Sequence, residues 1–420
     1  MYQQILNSLK ELKIEDFIIN MESESTVELF FVKKALDMRR EKDVEKTLVT
    51  VFRDFEEEGE KYRGSSEALI VPTMTESEIR KALSDALESA AFVKNPWYPL
   101  YRPEEPVQPE SKEIPELSDA ASRMAEAVFA ADHDDRAFLN SAEIFVIRSS
   151  CRIVTSEGLD TAFDTFTVKG EYVTQCKEPK DVEQYDSFEY DSVEEKAVTD
   201  KVLNSLRAVR DRAEAKKMPK SGNYDIVLSG DHVRTLLGTY FMKANASLVY
   251  PGYSKWKPGD RLQEENCAGE AFSVDLLPKE PVSQDGIPMK ERVLLRDGEL
   301  KTLFGPNRFC RYLGIEPVGQ YRKFRVLNGT VPFEEMKKGC LYPVSFSDFQ
   351  MNPFTGFFGG EIRLAYLMTD SGVEILTGGS INGSFIERQD DIVFSKERYV
   401  SASYEGPFAV KMKNVAVAGE

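Results

Sequence analysis

Glu291-Arg-Val-Leu-Leu-Arg-Asp-Gly-Glu-Leu-Lys-Thr-Leu-Phe304 reads as a β-hairpin. Apolar-rich runs flank Asp297-Gly298, and that dipeptide suits a two-residue turn because both of its positions need positive φ. Immediately downstream, 306–313 reads as a short helix, with Pro306 near its start and Gly314 just past its end. The last 80 residues are Gly-rich and β-branched, the composition of a β region with tight turns. Upstream, 225–229 reads as a short buried strand feeding a helix over 231–245. The C-terminal half is therefore expected to be β-rich.

The N-terminal half alternates strands with helices. Ile5, Leu9 and Leu12 share one helical face, so 2–12 reads as an amphipathic helix. Strands are expected at 26–32, 47–53 and 68–71. Thr75-Glu-Ser-Glu78 matches a capping box, in which the Thr hydroxyl and Glu carboxylate each satisfy an orphan amide. Behind it Ile79, Leu83, Ala86, Leu87 and Ala90 predict a helix over 76–92. Residues 95–117 hold six prolines, which exclude a helix. They form either a surface loop or an arm over a cleft or partner, with Trp97, Tyr98 and Tyr101 as contact residues. A helix follows from Leu117 to Phe129, then strands at 144–147, 152–155, 163–175 and 184–191, then a helix over 193–217 ending near Met218-Pro219. Stretches 26–92 and 142–217 thus share one order, several strands then a helix, which duplication or convergence explains equally well. The fold class is α+β, with an N-terminal domain over 1–220 and a C-terminal β-rich domain over 221–420.

Composition narrows the function. Against 54 Lys+Arg stand 71 Asp+Glu, a net charge of −17. That balance argues against nucleic-acid binding, which draws on clustered cations. The start of the chain lacks a basic-then-apolar leader, and no long apolar run exists, so a cytoplasmic protein with no membrane span is expected. Five widely spaced cysteines fit reduced thiols, not a disulfide framework. His133 and His232 are the only histidines, which argues against a multi-histidine metal site. Nucleotide-binding and hydrolase motifs are absent, and 378–383 reads as a Gly-rich turn. Asp132-His133-Asp134-Asp135 and the five acids within 54–60 read as solvated turns or strand ends. Asp231, at a helix start, complements the helix dipole, and His232 beside it reads as structural; both are weak site candidates only.

Several C-terminal segments, taken in order, carry a resemblance. They are Asp285-Gly-Ile-Pro288, Val293-Leu-Leu-Arg-Asp-Gly-Glu-Leu300, Asn352-Pro-Phe-Thr-Gly-Phe-Phe-Gly-Gly360, Ile381-Asn-Gly383, Tyr404-Glu-Gly-Pro-Phe408 and Val415-Ala-Val-Ala-Gly419. The series resembles the TldD/PmbA family, also called modulators of DNA gyrase. The resemblance implies a zinc peptidase, with a H-E-x-x-x-H helix and a later cysteine as ligands. Here the six corresponding positions are Gly238-Thr-Tyr-Phe-Met-Lys243. Gly238 and Lys243 stand where the histidines belong and Thr239 where the general base belongs; no cysteine lies in 405–408. The chain thus resembles the zinc-less PmbA (TldE-type) branch. The resemblance then implies no catalytic residue, no metal ligand and no cofactor, and a heterodimer with a TldD-like zinc protease acting on small or unfolded peptides. The alternative is a homodimeric peptide-binding or interaction protein without activity.

Overall fold

The structure is a computed structural model that describes residues 1–110, 113–133, 136–218 and 220–419. Asp134, Asp135 and Pro219 lie outside the described residues. Its N-terminal part runs α1 (Tyr2–Glu11), β1 (Phe17–Val32), β2 (Ala35–Glu57), β3 (Glu60–Ile70), α2 (Glu76–Ala90), then α3 (Leu117–Phe129), β4 (Ala137–Thr155), β5 (Asp160–Cys176), β6 (Val182–Tyr190), α4 (Glu195–Glu214). The two halves of this run have the same order, helix, three strands, helix. They meet in one antiparallel six-stranded sheet, β3-β2-β1-β4-β5-β6, with β1 and β4 paired at the centre. The sheet is therefore symmetric in connectivity about its middle. The repeat expected from the sequence extends to the flanking helices α1 and α3.

One face of this sheet carries all four helices. Ile19, Val49, Val51, Ala68 and Ile70 pack against α1 and α2, while Val27, Leu29, Ile144, Val146 and Val168 pack against α3 and α4. The capping box at the start of α2 is present: the Glu78 amide donates to the Thr75 hydroxyl, and the Thr75 amide donates to the Glu78 carboxylate.

The strands are longer than the hydrophobic pattern predicted. Residues 144–147 and 152–155 belong to the single strand β4. The polar run between them is satisfied across to β5, where Arg148 and Ser150 both donate to Asp164 at 2.7 and 2.5 Å. Likewise the charged run 35–46 is the outer half of β2, not a loop. Its cations meet the acids of β1: Lys46 with Glu22 at 2.8 Å, Lys42 with Glu24 at 3.5 Å, and Arg40 with Glu28. Opposite charges facing each other across paired strands stabilise a sheet that apolar alternation alone would not predict.

The C-terminal region is strand-rich, as expected. The strands Leu341–Met351, Gly222–Ser229, Ala409–Ala418, Ser380–Ser384 and Phe357–Thr369 pair in that order, and the last returns to pair with the first. They close a five-stranded barrel. The short pair Lys216–Lys217 adds to this sheet beyond Gly372–Thr377, so the chain enters it directly after α4. A second, six-stranded sheet contains the hairpin that opened the sequence reading, Arg292–Arg296 with Glu299–Leu300. Asp297 and Gly298 both have positive φ, +49° and +76°, as the two-residue turn requires. Phe272, Phe304, Phe385, Phe394, Tyr240 and Tyr321 fill the core shared by the two sheets.

Residues 95–110 resolve the choice between loop and arm. The stretch first pairs with β3, the Arg63 amide donating to Asn95 and the Trp97 amide to Lys61. It then crosses to the C-terminal region. The Tyr312 hydroxyl donates to the Pro96 carbonyl at 2.7 Å, the Asn307 amide group to the Pro99 carbonyl at 2.9 Å, and Arg308 to Asn95 at 2.9 Å. Tyr98 and Leu100 are buried with Ile18, Phe52, Ile153 and Val282, a cluster drawn from both parts of the chain. Proline-rich chain suits this strap because its carbonyls remain free to accept bonds while few amides need partners. At its root, Arg63 is buried, bonds Asp54 and Asp16, and lies under the Trp97 ring at 5.2 Å.

Candidate functional site

Two places could support function: the helix that follows strand Gly222–Ser229, and a cleft between the N-terminal sheet and the C-terminal region. The helix, α5 (Asp231–Lys243), begins after Gly230, whose φ is +59°. It forms because Val233, Leu236, Leu237 and Tyr240 recur at helical spacing and bury one stripe in the core.

Asp231 and His232 serve the start of α5. Asp231 pairs with Lys201 of α4 at 3.0 Å and with Arg234 at 3.4 Å. Its crowded setting would raise the carboxyl, but the Lys201 ammonium, Arg234 and the Tyr399 hydroxyl outweigh that and hold it below the usual carboxylate range. Lys201 in turn is held above the usual lysine range by Asp231 and Asp186 despite its burial. The pair therefore bolts α4 to α5. His232 lies edge-on to Phe346 and Phe349, with ring centroids 4.9 and 5.0 Å away. Burial pushes its imidazole below the usual value, against the opposing pull of Asp231 and the Ser229 backbone. A base with a depressed folded-state pKa contributes stability above its unfolded value, near 6.5, and loses it as pH falls. Accordingly, His232→Gln is expected to reduce the drop in urea midpoint between pH 7 and pH 5; an unchanged drop would remove His232 from the acid response.

Further along α5, Gly238 faces open space: a Cβ added there would meet no atom within 4 Å. Thr239 is 1% exposed, and its hydroxyl has no hydrogen-bond partner. Lys243 ends the helix with its ammonium 4.8 Å from the centre of the Trp256 ring. Burial pushes this lysine below its ordinary value. These three residues do not suit a divalent cation. Glycine offers no donor atom, a protonated lysine repels the ion, and a lone hydroxyl is a poor ligand. Among the described residues no group of three or more His, Cys, Asp or Glu could hold a metal ion.

The cleft has a volume of about 1050 Å³. Asn20, Glu22, Cys151, Phe163, Lys169 and Glu189 line it from the helix-free face of the N-terminal sheet, and Lys279, Glu280, Gln320, Arg322, Lys323 and Arg325 from the other side. Ile114 and Pro115, at the end of the proline-rich stretch, also reach it. Ion pairs span its base: Lys279 to Asp191 at 2.9 Å, Lys323 to Asp191 at 3.5 Å and Lys323 to Glu405 at 3.0 Å. Cys151 is the cleft's one thiol among the described residues. Burial, with Glu22 and Glu280 nearby, pushes it up to about 11, so it is no thiolate near neutral pH. Of the chain's two histidines, His232 sits against Phe346 and Phe349 and His133 follows α3, so neither lines the cleft as a base. The cleft is thus a charged, two-walled groove whose thiol is protonated near neutral pH and whose lining includes no histidine among the described residues.

The sequence reading placed Asp231 and His232 together, and the structure keeps them at a helix junction. It missed the cleft, whose residues come from positions 20–405 with no local spacing to reveal them. Of the cluster 132–135, Asp132 is buried beside Lys34, which donates to its backbone carbonyl at 2.7 Å. Among the described residues no helix is long and apolar enough to cross a membrane.

Residues 221–419 match the model of the PmbA/TldA metallopeptidase C-terminal domain. No curated protein matches the chain. Among solved structures it is similar to TldE from Thermococcus kodakarensis, with a TM-score of 0.81 and 15% identity over 99% of this chain and 100% of that one. It is similar also to a protein described as a modulator of a DNA gyrase from Thermotoga maritima, with a TM-score of 0.79 and 16% identity over the whole of both chains. A further protein so described, from Bacteroides thetaiotaomicron, has a TM-score of 0.74 and 15% identity over 100% of this chain and 99% of that one.

Proposed function

Because the chain belongs to the TldD/PmbA family through its residues 221–419, we propose that it is a zinc-less, TldE-like subunit that works with a TldD-like metallopeptidase. The partner would supply the zinc, the H-E-x-x-x-H helix and the general base. This chain would supply structure and a peptide-binding surface in a cytoplasmic assembly acting on small or unfolded peptides. The observation that carries the reading is the side-chain set of α5. By our placement of the motif on α5, Gly238, Thr239 and Lys243 stand at its two histidines and its glutamate, and none can serve as histidine ligand or carboxylate base. The cleft, with charges on both walls and a thiol that burial keeps protonated, fits a binding role.

The reading is tested by capturing the tagged chain from its native cell. A H-E-x-x-x-H protein should co-purify in comparable amount, and a denatured peptide pool should be cleaved only when both chains are present, with loss of cleavage on chelation. Cleavage by this chain alone would overturn the proposal. Repeated capture of nothing but further copies of itself would favour the homodimeric binding protein instead.

A further inference from the structure

We infer that Lys243 and Trp256 form a binding site for a free carboxylate borne next to an apolar group. The observation that starts the argument is an ion pair that is missing. Elsewhere the little-exposed lysines hold carboxylates: Lys201 on Asp231, Lys279 on Asp191, Lys323 on Glu405 and Lys337 on Glu334. In a chain with 17 more acids than bases, such pairing is the easy outcome. Lys243 is half-buried and, among the described residues, has no acid within ion-pair distance and no neighbouring charge that perturbs it.

Its two visible supports explain its position but not its donors. The carbonyl end of α5 favours a cation, and the Trp256 face adds a cation–π contact at 4.8 Å. Neither accepts the ammonium's hydrogen bonds, and a half-buried ammonium with free donors favours an oxyanion. Thr239 lies four residues earlier, but its hydroxyl is sealed in the core and stands outside the site. A single ammonium with no neighbouring charge that perturbs it matches a monoanion, not a phosphate dianion. The indole gives the ligand its apolar contact. It is held in place by stacking on Tyr240 at 5.9 Å, so the platform is preorganised.

The chain has two tryptophans, Trp97 and Trp256, so a Trp97→Phe protein reports on the site alone. Its emission is followed during titration with the tripeptide acetyl-Ala-Ala-Phe as free acid, with the same peptide as C-terminal amide, with isovalerate and with inorganic phosphate. The free acid is expected to give a saturable change and the amide to bind at least about tenfold more weakly. Binding of the peptide acid well above isovalerate identifies a peptide terminus as the source of the carboxylate; equal binding identifies a small organic acid. Lys243→Met should abolish the response at an unchanged melting temperature, and Lys243→Arg should retain it. Equal binding of acid and amide, phosphate binding as tight as the acids, or no saturable response to either acid overturns the inference. Should Lys243→Met fail to fold, the acid–amide comparison still decides. The site rests on the geometry at the end of α5, so its failure leaves the partner reading standing.

Discussion

A Gly64→Val protein is expected to lose roughly 3–5 kcal/mol of stability in its N-terminal part, the upper range for overpacking a site that cannot relax. Gly64 lies in β3 where the end of α2 crosses the sheet. A Cβ at this position would stand 1.8 Å from the Ala90 carbonyl oxygen and 2.9 Å from that of Val93. Both are backbone atoms, so no side-chain rotation relieves the clash; α2 must lift from the sheet. Lifting it would also disturb the neighbouring Arg63, whose bonds to Asp16 and Asp54 anchor the strap. Thermal unfolding followed by circular dichroism checks this. Gly238→Ala is the internal control: with no atom within 4 Å of the added Cβ and a helical backbone, it should leave stability unchanged or raise it by about 0.5–1 kcal/mol. A fully stable Gly64→Val protein would contradict the packing of α2 described above.

Tyr240→Ala should cost the C-terminal region about 3–5 kcal/mol in urea unfolding. The ring is fully buried, with Phe272 and Phe385 edge-on at 5.1 and 6.1 Å and Trp256 stacked at 5.9 Å. Removing it opens a cavity among rings already packed against one another, which cannot collapse to fill it. It also strips a donor from Gln389, which accepts the Tyr240 hydroxyl bond at 2.5 Å and itself donates to the Leu262 carbonyl at 2.7 Å. Tyr240→Phe separates the two effects. It keeps the ring and removes only the hydroxyl, so it should cost about 1–2 kcal/mol. An alanine variant no less stable than the phenylalanine variant would show that the aromatic cluster is not the core of this region.

These results bear on what could be read before the fold was known. Local signals with a single mechanism were legible. Thr75 and Glu78 announced a helix start, Asp297-Gly298 announced a two-residue turn, and Gly314, with φ +66°, announced a helix end. Strand extent was not legible, because the outer halves of β2 and β4 are polar. Arg40, Lys42 and Lys46 look like loop residues until the register shows Glu28, Thr26 and Glu22 opposite them. Nor could the strap be chosen over a loop, since its partners Asn307, Arg308 and Tyr312 lie some two hundred residues away. The α5 positions were legible as residue types, and the structure adds what a string of letters cannot: space beside Gly238, a sealed hydroxyl at Thr239 and an indole under Lys243. The cleft was invisible, because the fold alone brings Glu22, Cys151, Lys279 and Arg322 together.

The strap and the pairs of Lys279 and Lys323 with Asp191 fix the N-terminal sheet against the C-terminal region, and the Lys201–Asp231 pair fixes α4 against α5. The groove between them is therefore held by contacts on several sides, the rigidity that a binding or a catalytic surface alike requires.

The central claim is that this chain depends on a partner for its metal. The most direct measurement is the zinc content of the purified chain by mass spectrometry, after dialysis against micromolar zinc and removal of loosely held ions. The α5 side chains predict far less than one zinc per chain. One tightly held zinc per chain, lost together with peptide cleavage on chelation, would contradict the claim.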